Sequence, residues 1–466
     1  MAPDNFAALI EAAARRRPER TALAWDGGAL TWADLAGRAG GAARALVARG
    51  VRPGDAIALD LPNGWPFVTA LLGGLGLGAT VTPLNPMLTA EERAGILDDL
   101  RPAAVVTEVP DAPAPWTPAT DARAAALILY TSGSTGRPKG SVLSHAALTF
   151  ANRSWAEDVM GLHADDVALA MLPVSHSLGL NGALLAPLLT GAAVVILERF
   201  GPEAALAAIA RHRVSVLPGV ATMFRRILDA PELAGADLSS LRVALSGAAP
   251  CPWELANEWR RRTGVRILRG YGSTELFRPI SYLAREPADP PEAIGRAVPG
   301  VDIRAVDEEG EPVAAGQTGE LLIRTPAALD GYLGQPEETR AVMADGWFRT
   351  GDLAMLSPDG FVRIVGRKKE LILRGGYSVV PGEVEAALAS HPAVAEAAVV
   401  GMPHPELGED VAAFVLLRAG AAIAPEELIR HCRDRLAGYK YPRRVTIVDE
   451  LPRGATGKVL KSRLHP

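Results

Sequence analysis

Short apolar runs alternate with longer amphipathic segments through the N-terminal part of the chain. From residue 125 onward, AALILYT, VALAMLP, AAVVIL, VSVLPG and LRVALSG are rich in β-branched and aliphatic residues, which favours strands. Between them, PEAALAAIARHR and CPWELANEWRRRTG carry apolar residues at helical spacing. Strands that alternate with helices are typical of a sheet covered by helices. The pattern therefore predicts an α/β fold with a layered, mostly parallel core.

The pattern changes after residue 300 and again after residue 366. GVDIRAVDEEGEPVAAGQTGELLIR combines turn residues with short apolar runs, which predicts a small β unit. Farther on come a hairpin-like segment, the helix-like PGEVEAALAS, two strand-like runs and the helix-like APEELIRHCRDRLAG. We therefore predict an N-terminal domain over residues 1–366, made of layered α/β subdomains and the β unit. A small mobile α+β domain is predicted over residues 367–466.

Composition narrows the class of protein. Of 466 residues, 48% are hydrophobic and 22% are charged, which is ordinary for a globular chain, and the net charge of -5 does not favour nucleic-acid binding. The two distant cysteines, Cys251 and Cys432, predict neither a disulfide framework nor a zinc site. No run has the length of a signal peptide core or a membrane span. We expect a cytoplasmic protein.

One glycine-rich segment, GLGLGA at residues 74–79, fits the loose dinucleotide pattern G-x-G-x-x-G/A. It follows a helix-like run, whereas a dinucleotide-binding loop follows a strand. Close packing of the backbone is therefore the favoured interpretation.

A second small-residue segment has a stronger chemical meaning. LILYTSGSTGRPKGSVLSHAAL, residues 127–148, places a loop of glycine, serine and threonine between a strand-like run and a helix-like one. Its backbone N–H groups, its hydroxyls and the lysine at its end favour a phosphate chain as ligand. Gly-Arg-Pro-Lys differs from the Gly-Lys of the Walker pattern, so an ordinary P-loop is disfavoured. The alternative is a flexible polar turn with a solvated lysine. The contributing residues are Thr131, Ser132, Gly133, Ser134, Thr135, Gly136 and Lys139.

Four further motifs accompany this loop: GYGSTE at 270–275, GWFRTGDL at 346–353, GRKKE at 366–370 and PRGATGK at 452–458. In this order, and over nearly the whole chain, they resemble the adenylate-forming superfamily, which contains acyl-CoA synthetases, peptide-synthetase adenylation domains and luciferases. The resemblance implies that a carboxylate attacks the α-phosphate of ATP, pyrophosphate leaves, and a thiol then displaces AMP. It predicts an ATP-dependent acid:thiol ligase of the acyl-CoA synthetase type.

Joining a carboxylate to ATP brings two anions together, so the site needs Mg2+ and fixed positive charge. The resemblance assigns Glu275 to the Mg2+, Thr274 to the α-phosphate, and Lys458 to a bridge between the attacking carboxylate and that phosphate. Two alternatives stand beside this assignment. Ser273, Thr274 and Glu275 suit the start of a helix with a serine cap, and Lys458 suits a solvated basic tail.

The remaining nucleotide contacts also rest on the resemblance. Tyr271 matches the aromatic residue that stacks on adenine, and the segment SGAAP matches the one along the edge of the base. Asp352 matches the acceptor of the ribose hydroxyls, and Arg367 a donor to the same sugar. A core tyrosine, ordinary turns and surface residues are the alternatives. Within SGAAP the base-edge residues are Ala248, Ala249 and Pro250.

The second half-reaction requires the first set of groups to withdraw. In the family the C-terminal domain rotates, and the match places the hinge at Lys369. Rotation would bring Gly375 and Gly376, on a strand, to line a narrow pantetheine tunnel. In another context RGG would indicate a turn.

The resemblance also places an acyl pocket. Its predicted lining residues are His176, Ser177, Asn181, Val220, Gly247, Gly270, Gly272, Arg278, Pro279 and Ile280. By analogy, His176 closes the thiol tunnel. Arg278 departs from an apolar lining, because a buried guanidinium is costly unless it meets an anion. Two interpretations remain: Arg278 binds a polar or carboxylate-bearing substrate, or it turns away to pair with an acid such as Glu286.

The sequence leaves the acceptor and the exact acid open. CoA is the favoured acceptor; transfer to a carrier protein or an amine, adenylation of another small oxyanion, and a relative that only binds nucleotides or acyl-adenylates are the alternatives. Lys458 and Glu275 count against a binding-only protein, since such a protein has no chemical need for either. The chain is short for the family near residues 108–124, and its oligomeric state is not predicted.

Overall fold

A computed structural model describes residues 5–119, 121–131, 138–286, 289–453 and 459–465. The chain forms two compact units: Met1–Asp302 with Ile323–Phe348, and Ile303–Leu322 with Arg349–Pro466. This division differs from the predicted boundary at residue 366, because strands before that position pack within the second unit. The boundary and the hinge stay predictions about movement. Within the described ranges, no helix has the length and apolarity needed to cross a bilayer.

The strands are numbered along the chain. They are β1 Thr21–Trp25, β2 Gly28–Thr31, β3 Ala56–Leu59, β4 Thr80–Pro83, β5 Ala104–Val106, β6 Ala125–Thr131, β7 Lys139–Ser144, β8 Val167–Ala170, β9 Ala193–Ile196, β10 Val216–Gly219, β11 Val243–Ser246, β12 Ile267–Leu268, β13 Gly270–Ser273, β14 Phe277–Ser281, β15 Arg296–Ala297, β16 Asp302–Val306, β17 Thr318–Arg324, β18 Gly331–Tyr332, β19 Met343–Ala344, β20 Trp347–Leu356, β21 Val362–Arg367, β22 Ile372–Arg374, β23 Tyr377–Val379, β24 Val394–His404, β25 Gly408–Leu417 and β26 Arg444–Val448.

The helices are numbered in the same way. They are α1 Phe6–Arg16, α2 Trp32–Ala48, α3 Trp65–Leu77, α4 Ala90–Leu100, α5 His145–Arg153, α6 Ala186–Thr190, α7 Pro202–His212, α8 Ala221–Asp229, α9 Trp253–Thr263, α10 Pro336–Val342, α11 Pro381–Ala389 and α12 Pro425–Arg433. Ser154–Val159 and Leu178–Leu185 are π-helical, and Pro231–Gly235, Lys368–Glu370 and Lys461–Arg463 are short 3-10 turns.

A seven-stranded sheet forms the centre of the first unit, in the order β12, β11, β10, β8, β9, β1, β2. All neighbours from β12 to β1 run parallel, and β2 closes the edge in the antiparallel direction. Helices α7, α8 and α9 contribute Ile209, Phe224 and Trp259 to one buried apolar cluster with this sheet. The predicted α/β layering is confirmed.

A six-stranded sheet carries the predicted phosphate loop, in the order β18, β7, β6, β4, β3, β5. Strands β6, β4, β3 and β5 run parallel, while β7 and β18 are antiparallel. The expectation that the loop leads directly into a helix is wrong. It joins β6 to β7 with Thr131 opposite Lys139, and α5 begins only at His145. KGSVLS forms a strand because its backbone groups pair with the free edge of β6.

The glycines of GLGLGA serve helix packing. Gly76 of this segment and Gly73, directly before it, lie inside α3, where a Cβ at Gly73 would be 2.7 Å from Cβ of Ala42 in α2. A Cβ at Gly76 would lie 2.9 Å from Cε2 of Trp116, in the connector that follows β5. The absence of side chains lets α2 and the connector approach α3, which supports the packing interpretation.

The segment GYGSTELFRPIS forms an antiparallel hairpin, β13 and β14, to which β15 is added. Tyr271 lies opposite Ile280 and Ser273 opposite Phe277. The alternative that Ser273 begins a helix is wrong, because the chain reverses over the next three residues. Phe277 has φ of 55°, a left-handed conformation that is rare for bulky residues and that ends the turn.

The second unit contains two sheets. One holds β16, β17, β20 and β21; the other has the order β23, β22, β25, β24, with β26 parallel to β25. Helices α11 and α12 bury Val384, Leu388, Leu428 and Cys432 in the core of the second sheet. The sheets with these helices confirm the predicted α+β character of the C-terminal region.

Candidate functional site

The predicted acyl residues meet at the carboxyl edge of the seven-stranded sheet. Val220 directly follows β10, Gly247 follows β11, and Gly270 follows β12 after one residue. Strand β8 leads into the segment that contains His176. Parallel strands end at one edge, and open α/β sheets bind their ligands there. The structure therefore brings to one sheet edge predicted pocket residues that the sequence spreads over a long stretch.

The hairpin of β13 and β14 lies against this edge. Arg278 in β14 is buried, and its guanidinium contacts the backbone at Gly247 and Gly270. The suggested Arg278–Glu286 pair is wrong, because Glu286 forms its ion pair with Arg296 and Arg278 binds backbone and hydroxyl oxygens. The remaining hairpin residues of the predicted pocket, Pro279 and Ile280, are buried, and Gly272 packs against backbone atoms of the opposite strand.

The segment with His176 enters the π-helix Leu178–Leu185, and π-helices are frequent at functional sites. Asn181 is fully buried, donates to the Ser177 carbonyl oxygen at 2.8 Å, and accepts from Asn152 at 3.0 Å. Its amide thus has protein partners on both sides. Burial lowers the pKa of His176, which keeps the imidazole neutral at pH 7.

Glu275 lies at the turn of the hairpin and has a partner that sequence reasoning missed. The Tyr332 hydroxyl, from β18, donates to Glu275 Oε1 at 3.1 Å, and the Leu329 N–H donates to the Glu275 carbonyl oxygen at 2.8 Å. Burial, the negative charge of Glu275 and this hydrogen bond raise the pKa of Tyr332. The tyrosine therefore stays a donor and orients the carboxylate.

Lys139 occupies the same neighbourhood. It opens β7, which pairs with β18, and its Nζ lies 5.4 Å from the centre of the Tyr332 ring. The ammonium also pairs with Glu338 of α10 at 2.6 Å. Tyr332 thus contacts the loop lysine with its ring and Glu275 with its hydroxyl. No motif pointed to either partner, because Tyr332 lies 57 residues from Glu275, and Glu338 lies 199 residues from Lys139.

The predicted base-binding residues lie beside the same edge. Tyr271 is half-buried in β13, and the segment of Ala248, Ala249 and Pro250 is exposed directly after Gly247. Ala248 has φ of 63°, a left-handed conformation that costs energy for a residue with a Cβ. These positions suit an exposed base-binding strip, and their roles stay predictions.

The two predicted ribose-binding residues face each other in the second unit. Asp352 of β20 and Arg367 of β21 are directly opposite in an antiparallel pair, and Arg367 Nε lies 2.8 Å from Asp352 Oδ1. Asp352 is buried, while the arginine is half-exposed. The structure therefore brings these two residues together.

The predicted hinge and tunnel residues follow β21. Lys369 is exposed within the turn Lys368–Glu370. Gly375 and Gly376 form the two-residue turn between β22 and β23, with φ of 57° and 84°, rather than part of a strand. Two successive left-handed residues favour glycine. Both glycines are exposed, and their tunnel role stays a prediction.

Several predicted residues lie outside the part of the chain that the structure describes. They are Ser132, Gly133, Ser134, Thr135, Gly136 and Lys458. The backbone of Thr131 ends β6, and Thr274 is half-buried in the hairpin turn next to Glu275.

Replacing Tyr332 with phenylalanine is expected to raise the Mg2+ concentration needed for half-maximal pyrophosphate release about tenfold, because a hydrogen bond to a charged group contributes roughly 1.5 kcal/mol. A matched control is Tyr130→Phe, which removes the bond from Tyr130 to Asp99 at 2.6 Å. That control should keep the wild-type Mg2+ dependence. Equal Mg2+ curves for wild type and Tyr332→Phe would show that the hydroxyl does not orient the carboxylate.

Comparison with known proteins agrees with this geometry. The AMP-binding enzyme model matches residues 10–117 and 108–333, and the model of the AMP-binding enzyme C-terminal domain matches residues 383–458. A feruloyl-CoA synthase of an Amycolatopsis species is 38% identical, over 97% of this chain and 96% of the relative. An indoleacetate–CoA ligase of Aromatoleum aromaticum is 34% identical, over 97% and 96%.

A solved structure extends the likeness to the fold. ATP-bound MatB from Rhodopseudomonas palustris superimposes with a TM-score of 0.93 at 32% identity, and the match covers 98% of this chain and 97% of MatB. With both domain models matched and full-length likeness to acid–CoA ligases, this chain belongs to the AMP-binding enzyme family of the adenylate-forming superfamily, as an AMP-forming acyl-CoA ligase.

Proposed function

We propose that the chain activates a carboxylic acid with ATP and Mg2+ and transfers the acyl group to CoA in the cytoplasm. The observation that carries this proposal is the cluster of Lys139, Tyr332 and Glu275. In this cluster an oriented carboxylate lies near Lys139, the first residue of β7, which follows the predicted phosphate loop. Adenylation needs this combination, since fixed charge must offset repulsion between two anions.

Glu275 is the proposed Mg2+ ligand. It offers a hard carboxylate oxygen, it is partly exposed, and Tyr332 holds its Oε1. Within the described ranges, no group of three histidine, cysteine or acidic side chains forms a protein cage for a metal. A single carboxylate fits Mg2+, which commonly takes its other ligands from phosphates and water. When bound, Mg2+ offsets charge on the phosphates.

Lys458 and Thr274 are proposed to act on the α-phosphate. An ammonium between the attacking carboxylate and the phosphate stabilises charge that builds only in the transition state. The Thr274 hydroxyl, beside Glu275, donates to a phosphate oxygen. Lys139 holds the outer phosphates, so ATP replaces Glu338 as its partner.

Binding of the nucleoside is assigned to separate groups. Tyr271 stacks on adenine, and Ala248, Ala249 and Pro250 follow its edge. Asp352 accepts from the ribose hydroxyls, and Arg367, which it pairs with, donates to the same sugar.

Thioester formation is assigned to a rotated state of the residues after 366. Lys369 supplies the hinge, and the exposed turn of Gly375 and Gly376 allows pantetheine to pass close to the backbone. His176, kept neutral by burial, borders the thiol path. A carrier-protein phosphopantetheine is the second candidate acceptor, because the same tunnel would admit it. The free Cys251 and Cys432 suit the reducing cytoplasm.

The test is pyrophosphate release from ATP and Mg2+ across a panel of short to long fatty acids, aromatic acids, dicarboxylates and nitrite, with and without CoA. We expect steady turnover with at least one carboxylic acid only when CoA is present. Release that stops after one equivalent despite CoA would instead indicate a carrier protein or an amine as acceptor. Turnover with nitrite alone, or no release with any member, would contradict the proposal.

A further inference from the structure

Arg278 occupies an unusual position for a guanidinium. Only 5% of the residue is exposed, and each of its three nitrogens donates one hydrogen bond at 2.9 Å. The acceptors are the Ser281 hydroxyl and two carbonyl oxygens, those of Ser246 and Leu268, at the ends of β11 and β12. The Trp155 ring lies 5.5 Å from Cζ. The side chain is therefore rigidly placed at the carboxyl edge of the sheet.

None of these acceptors carries a negative charge. In the described ranges no carboxylate forms an ion pair with Arg278, and Glu286 is engaged by Arg296. Burial lowers the pKa of Arg278 to about 9, so the guanidinium is still cationic at neutral pH. A buried charge without a counter-charge is destabilising, whereas a neutral side chain of similar size would carry no such cost.

The same guanidinium borders the predicted acyl pocket. A Cβ at Gly270 would lie 2.5 Å from Cζ of Arg278, and one at Gly247 would lie 3.2 Å from Nη1. A guanidinium has five N–H groups, and the three hydrogen bonds leave two of them for another acceptor. Leu178 and Trp155 contribute apolar side chains to the surroundings, and the Cys251 thiol, whose pKa burial raises, is the nearby titratable group that interacts with Arg278.

We propose that Arg278 binds a second anionic group on the acid, so that the substrate class is a carboxylic acid bearing another carboxylate or a sulfonate. This inference rests on the ligase function proposed above and specifies its substrate. The planar fork of a guanidinium suits a bidentate anion, and such an anion supplies the negative charge that none of the acceptors described for Arg278 carries. The apolar neighbours suit a hydrocarbon spacer between the two acidic groups.

The test uses pairs of acids that share a carbon skeleton: succinate with butyrate, glutarate with valerate, and terephthalate with 4-methylbenzoate. For the wild type, kcat/KM in CoA-dependent pyrophosphate release should favour the dianion at least about tenfold in one pair, as expected for a charge-assisted hydrogen bond. Arg278→Gln, which keeps donors but loses the charge, should remove this preference, and Arg278→Lys should retain part of it. The control Arg296→Gln should leave the preference unchanged.

Binding provides a readout that does not depend on turnover. With AMP present, the preferred diacid should raise the melting temperature of the wild type and Arg278→Lys but not of Arg278→Gln, and melting without ligand shows whether each variant folds. Equal preference for both members of every pair would overturn the inference while leaving the ligase intact. An equal loss on all acids in Arg278→Gln would assign the arginine to structure alone. If no acid gave pyrophosphate release but the diacid still raised the melting temperature of the wild type and Arg278→Lys only, the anion-binding role of Arg278 would be supported. The same result would contradict the ligase proposal.

Discussion

Replacing Lys458 with alanine is expected to lower acyl-AMP formation about 10^3-fold, because one preorganised charge aimed at the reacting phosphate contributes roughly this much. The Lys458 ammonium is proposed to bridge the attacking carboxylate and the α-phosphate only in the transition state. The dissociation constant for ATP should therefore change by less than about threefold. The measurements are acid-dependent exchange between ATP and labelled pyrophosphate, and ATP binding by calorimetry.

A control lysine in the same region distinguishes a specific effect from a loss of positive charge. Lys440 pairs with Glu383 at 2.8 Å and has no predicted catalytic role, so Lys440→Ala should keep the wild-type exchange rate. If Lys458→Ala also exchanges at a near-normal rate, the catalytic assignment of Lys458 is wrong. If the ATP affinity of Lys458→Ala falls as steeply as its exchange rate, Lys458 contributes to binding of ATP itself and not specifically to the transition state.

Replacing Lys369 with proline is expected to separate the two half-reactions. Proline holds φ near -65° and restricts the residue before it, so a rotation centred on this exposed turn would be blocked. Adenylation should stay within about threefold of wild type, while thioester formation falls about 100-fold, since it depends on the conformational step. Burst and steady-state pyrophosphate release with CoA measure the two steps.

The matched variant for this experiment is Lys369→Ala, which removes the side chain and leaves the backbone free. It should form thioester at nearly the wild-type rate. Equal losses of adenylation and thioester formation in Lys369→Pro would remove the hinge assignment. A large thioester defect in Lys369→Ala would show that the side chain, rather than backbone rotation, matters at this position.

Local patterns predicted much of the architecture. AALILYT forms β6 over the same residues, and PEAALAAIARHR forms α7 to within one residue. The predictions for these segments are correct because periodicity and residue type favour a single kind of element, and burial of its apolar face stabilises that element. The motifs also led to the family, because the chemistry of adenylation requires particular residue types in a particular order.

Local reasoning failed where the partner of a segment decided its conformation. KGSVLS became β7 because it pairs with the edge of β6, and Ser273 ends β13, opposite Phe277, instead of beginning a helix. Glu286, the acid near Arg278 in sequence, forms its ion pair with Arg296 instead. In each case the outcome depends on a partner outside the segment whose pattern was interpreted.

The sequence by itself determined the family, the α/β class and the residue types available for adenylation, since these depend on local patterns and on motif order. Only the tertiary structure decided that Tyr332 orients Glu275, that Lys139 lies over the same ring, and that Arg278 is buried with uncharged hydrogen-bond acceptors among the described residues. Hydrogen bonds and desolvation act between atoms that folding brings together. Which hydrogen bonds form and which charges are buried therefore cannot be predicted from any one segment of the sequence.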